Sequence, residues 1–169
     1  MTPEITRPSQ LWKPLAEERK RLAADAFWRD PDAGLEHAEV IASIAQRLKF
    51  RAKSVVALPL EKKVRYLSTM PISEMVVARL LIAYHLAHQR PMMGSFLSAL
   101  GIAHKDGVIA EDETPSPTKE QLLAAAATIG GAYPAEDVAL YLSTLLWQDA
   151  ETWGGLSEAP QRQVQSTPA

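Results

Sequence analysis

The sequence predicts an all-α protein: one bundle of about seven helices over residues 1–155, with a miniature β-hairpin near 102–109 and a disordered tail over 156–169. Three observations carry that expectation. Apolar residues recur at i, i+3, i+4 and i+7 in one segment after another. Proline, aspartate, serine or threonine opens these segments and glycine or proline closes them, which is the chemistry of helix starts and stops. Outside them only residues 55–58 have the β-branched character of a strand, and no comparable strand exists for it to pair with.

The first helix is expected over residues 12–28, with Pro14 in its first turn, Leu15, Leu22, Ala23, Ala26 and Phe27 at helical spacing, and Glu17, Glu18, Lys20 and Arg21 facing solvent. Asp30-Pro31-Asp32 offers a capping oxygen, a fixed φ and a first-turn acid, so a second helix should start there. Leu35, Ala38, Ile41, Ala42, Ala45, Leu48 and Ala52 extend it to about Lys53. Residues 55–58 form a connector, and Leu60, Val64 and Leu67 mark a short helix that Pro71 ends. Ser73 opens the helix of residues 73–89, apolar almost all round and therefore expected at the centre of the bundle.

Arg90-Pro91 breaks that helix, and Met92, Met93, Phe96, Leu97 and Leu100 form the stripe of the next, closed by Gly101. Asp106-Gly107 is a hairpin-turn pair between β-compatible residues. After an acidic, proline-containing loop over 110–117, Thr118 and Gln121 make a capping box for a helix ending at Gly130-Gly131. Pro134, Glu136 and Asp137 open the last helix, whose stripe is Val138, Tyr141, Leu142, Leu145 and Leu146.

The composition narrows function by exclusion. The 169 residues contain no cysteine, which removes disulfides, thiolate metal sites and cysteine nucleophiles. The longest greasy stretch, residues 76–84, is interrupted by Arg79, and the N-terminal residues lack the apolar core of an export signal. A cytoplasmic protein without membrane contact is expected. Neither G-x-S-x-G, nor G-x-G-x-x-G, nor a phosphate-cradling P-loop occurs. Carboxylate pairs at Glu17-Glu18, Glu111-Asp112-Glu113 and Glu136-Asp137 fit a solvated face, a loop and a helix first turn rather than an acid–base site.

Charge is unevenly spread. Residues 1–104 hold 15 Lys and Arg against 10 Asp and Glu, whereas residues 105–169 hold 3 against 10. Arg47, Lys49, Arg51, Lys53, Lys62, Lys63 and Arg65 crowd one stretch in which Glu61 is the only acid. Three explanations compete: the halves attract each other, the cations form a solvated face, or an acidic partner docks there. Nucleic acid is one such partner. However, the helix over 92–100 has no Arg, Lys, Asn or Gln with which to read bases, and the pI near 6.1 is low for a nucleic-acid binder.

His85 and His88, three apart on one helix, are the candidate metal pair, for a helical metal- or small-ligand-binding sensor or enzyme. His37, His104, Glu36, Glu39 and Glu74 are chemically capable third ligands, but spacing brings none of them near. Helix-end histidines favoured by the dipole are the simpler explanation, and no cofactor is indicated. Finally, Met92, Met93 and Phe96, with Trp147 and Trp153, have the adaptable and aromatic character of a partner-binding surface. The alternative is core packing, with Trp153 folding back as a clasp. The leading expectation is a non-enzymatic interaction or adaptor protein, binding another protein or a second copy of itself; the metal reading stands second and nucleic-acid binding third.

Overall fold

The computed structural model describes residues 7–158. Over that range the chain is predominantly helical, with ten α-helices, one 3-10 turn and a two-stranded hairpin. It divides into two compact units, Arg7–Ala87 and residues 88–158. No helix among the described residues is long and apolar enough to cross a membrane.

The first unit carries α1 (Pro8–Trp12), α2 (Glu17–Arg29), α3 (Gly34–Leu48), α4 (Ala52–Val56), α5 (Leu60–Thr69) and α6 (Glu74–His88). The helix expected over 12–28 is α2, which starts only at Glu17, and a separate short helix, α1, precedes it and ends at Trp12. Pro14 is not in the first turn of α2 but in the link after α1, where its ring, which clashes with the carbonyl four residues back and lacks an N–H, keeps α1 from continuing. The short α1 is tied to the start of α6 from a distance: Ser9 donates its backbone N–H to Glu74 Oε2 at 3.0 Å and its hydroxyl to Oε1. α2 packs along α5, and Ala23, Ala24, Phe27, Val64 and Leu67 are buried.

The second expected helix divides. It starts at Gly34, since Asp30 does not cap it; Asp30 Oδ1 accepts from the Asp32 N–H at 2.9 Å within the linker, and Oδ2 pairs with Arg79 Nε of α6 at 3.4 Å. The charge that interrupts the greasy stretch of residues 76–84 thus has its partner. α3 stops at Leu48, where Lys49 takes a left-handed conformation at φ 57° and the Phe50 N–H reaches back to the Ala45 carbonyl at 2.9 Å. The connector that follows is partly helical, as α4. In α6, Ser73 Oγ accepts from the Val76 N–H at 3.3 Å, the expected cap. Its buried residues, from Val76 to His85, fall all round the helix.

The second unit carries α7 (Arg90–Ala99), β1 (His104–Lys105), β2 (Val108–Ile109), α8 (Lys119–Gly130), α9 (Ala135–Gln148) and α10 (Ala150–Trp153), then a 3-10 turn at Gly154–Glu158. The hairpin forms where Asp106-Gly107 predicts it, pairing His104 with Ile109 and Lys105 with Val108. Both turn residues have positive φ, 50° and 85°, as a tight hairpin turn requires. Gly107 also presses against α7: a Cβ there would lie 2.7 Å from Met93 Cβ and 2.9 Å from the Arg90 carbonyl oxygen.

The capping box of α8 is complete, with Gln121 N donating to Thr118 Oγ1 at 3.2 Å and Thr118 N to Gln121 Oε1 at 2.8 Å. α8 packs against α7 and against the final 3-10 turn, in which Leu156 is fully buried. The fold therefore includes the first residues assigned to the tail; residues 159–169 lie outside the described range.

Candidate functional site

From residue 40 to residue 60 the chain contains no aspartate or glutamate. The structure turns this run into the last two turns of α3, the left-handed Lys49, an extended Arg51 and the single turn of α4. Arg47, Lys49, Arg51 and Lys53 are all exposed. Two apolar side chains stand among them, Phe50 at 47% and Val56 at 56% exposure. Lysine and arginine stems can lie along such surface while their heads remain in water, so this corner offers charge and apolar area together.

The other three cations of the sequence cluster are placed differently. Lys62 and Arg65 line a groove of about 700 Å³ along α2 and α5, where Arg21 joins them and Glu17, Glu18 and Glu61 balance the charge. Lys63 is half-buried, its Nζ 5.1 Å from the centroid of the Trp28 ring. That indole also stacks on His37, at 5.1 Å and 24°. His37 is held in turn by donating Nε2–H to the Phe27 carbonyl at 2.6 Å. Lys63 is therefore a packing residue, and the free positive surface reduces to residues 47–56.

The remaining sequence candidates fall elsewhere. Met92, Met93, Phe96 and Trp153 are buried and Trp147 is half-buried, so the expected methionine–aromatic surface is interior packing. The Phe96 ring meets Tyr141 edge-on at 5.6 Å and Trp153 at 6.1 Å. α8 and the hairpin pack on α7, and α10 adds Trp153 beside Phe96. Asp149 caps α10, accepting from Thr152 N at 3.1 Å and Thr152 Oγ1 at 2.6 Å, and so turns Trp153 back inward as a clasp. Those bonds hold the Asp149 carboxyl below its usual range, the side-chain bond from Thr152 first among the causes. Burial holds the Tyr141 phenol well above its ordinary value.

His85 is 2% exposed beside the Tyr84 ring, while His88 is exposed one turn on. Among the described residues no group of three or more His, Asp and Glu side chains is arranged to hold a metal ion. His104 does contact a hydroxyl, with Ser98 Oγ 2.8 Å from Nε2. Its tautomer is wrong for a nucleophile pair, however. Nδ1 accepts from the Gly107 N–H at 3.1 Å, so Nε2 carries the proton and donates it to Ser98 instead of removing one. This histidine ties the hairpin to α7.

No known family model, curated protein or solved structure matches this chain.

The charge asymmetry follows the division of the chain. Arg7–Ala87 holds 14 Lys and Arg against 9 Asp and Glu, a net +5, and residues 88–158 hold 3 against 10, a net -7. In the second unit Glu111, Asp112 and Glu113 are exposed on the loop after β2, close in sequence to Val108 at 44% exposure. Sequence reasoning found the cations but missed Phe50 and Val56, although Lys49-Phe50-Arg51 already interleaves an aromatic with two charges.

Proposed function

We propose that this chain is a non-enzymatic, cytoplasmic interaction protein that binds an acidic segment of a protein partner through residues 47–56. One observation carries the reading: four exposed cations and exposed Phe50 and Val56 share one short stretch of chain that is free of acids. Charge alone steers encounter and is screened by salt, whereas apolar area beside it adds a term that salt does not remove. A protein segment with alternating acids and apolar residues complements both features. A nucleic-acid backbone complements only the first, and the net -2 of the whole chain opposes it at long range.

The test is fluorescence anisotropy with a labelled synthetic peptide of alternating Glu and Leu. The native chain should bind it, a Phe50→Ser, Val56→Ser variant should bind several-fold more weakly, and a variant with Arg47, Lys49, Arg51 and Lys53 changed to Glu should lose about tenfold or more. Binding of duplex DNA tighter than the peptide, with a steep salt slope, would move the reading to nucleic acid. No difference among the three proteins would remove this surface from consideration.

A further inference from the structure

We infer that the acidic partner is a second copy of this chain, with residues 47–56 of one copy receiving residues 106–113 of another. This rests on the docking surface proposed above and adds its occupant.

The two patches complement each other in kind. One presents Arg47, Lys49, Arg51 and Lys53 with Phe50 and Val56; the other presents Asp106, Glu111, Asp112 and Glu113 near Val108, and all of these residues are exposed. They belong to different units, whose net charges of +5 and -7 have the matching signs. Potentials of opposite sign would steer the two surfaces of separate molecules together before any contact forms.

The acidic segment is also held ready. Its turn is fixed by the positive φ of Asp106 and Gly107, by the Gly107 N–H on His104 Nδ1, and by Arg90 Nη1, which donates to the Asp106 carbonyl at 3.2 Å. Beyond β2 the Glu113 N–H closes on the Ala110 carbonyl at 3.0 Å. A segment that is already ordered loses little conformational entropy on docking, so modest contacts suffice. Each copy contributes two different patches. Pairing of one basic with one acidic patch leaves a free patch at each end and grows into rings or chains, whereas reciprocal pairing of both closes a symmetric pair; either assembly uses the same two patches.

The experiment is sedimentation velocity on the full chain across a concentration series, in about 0.02 M and about 0.5 M salt. Species above the 18.6 kDa monomer should grow with concentration in low salt and recede in high salt. Two charge reversals, K49E/R51E and E111K/E113K, should each sediment as monomers when alone, with circular dichroism confirming the fold. Mixed, they should associate again, because each then offers the surface the other lacks. A native chain that stays monomeric in low salt, or assemblies that survive both reversals, would overturn the inference. A monomeric chain that still binds the Glu-Leu peptide would refute only the occupant, and one that binds neither would refute the docking surface as well.

Discussion

The ammonium of Lys63 stands 5.1 Å from the centroid of the Trp28 indole, so this half-buried cation of the basic stretch packs on an aromatic ring while Lys62 and Arg65 beside it are exposed. A half-buried cation over an aromatic face contributes about 0.5–2 kcal/mol, whereas exposed charges change stability by no more than about 0.5 kcal/mol. Lys63→Ala should therefore lower the urea midpoint measurably, while Arg51→Ala should leave it unchanged. The two variants should rank in the opposite order for peptide binding.

Gly107→Ala should be among the most damaging single-methyl additions. It combines a left-handed backbone with a Cβ placed 2.7 Å from Met93 Cβ and 2.9 Å from a backbone oxygen of α7, and the expected loss is about 2–4 kcal/mol. Gly34→Ala is the control, because nothing lies within 4 Å of its Cβ and the helix start gains up to about 1 kcal/mol. Equal melting temperatures for the two would refute the packing described for the hairpin.

Arg79 and Asp30 form a largely buried ion pair at 3.4 Å. Removing the cation alone, as in Arg79→Met, leaves a poorly solvated carboxylate and should cost about 1–3 kcal/mol. The double change with Asp30→Asn should recover part of that loss. A thermodynamic cycle from chemical denaturation measures the coupling, and additive effects would show that the pair contributes nothing.

The cap of α10 should respond to acid. The Asp149 carboxyl is lowered by its Thr152 bonds, so its contribution to folding is complete above the ordinary aspartate range and is lost as the pH falls through the lowered value. Asp149→Ala should free Trp153 at neutral pH, seen as a red shift and faster acrylamide quenching of its emission. It should also remove that step from the acid titration of the native chain.

Much of this fold was legible because its signals are local. Thr118 and Gln121 satisfy each other within one turn, and Asp106-Gly107 needs only its own backbone to reverse the chain. What escaped depends on partners far away in sequence. The Ser9–Glu74 contact joins residues 65 apart, so nothing around Ser9 announces α1. The methionine–aromatic stripe could face either way, and its burial depends on α8, the hairpin and Trp153, all distant in sequence from the stripe's own pattern. The basic run was visible as charge, but its reduction to residues 47–56 required knowing that Trp28 covers Lys63 and that acids line the groove beside Lys62 and Arg65.

Lys49 sits at φ 57°, where a side chain costs about 1–2 kcal/mol and glycine costs almost nothing. Lys49→Gly should thus melt at a higher temperature than the native chain while holding acidic ligands less firmly. On the docking surface proposed above, robustness and recognition would pull in opposite directions at this one position.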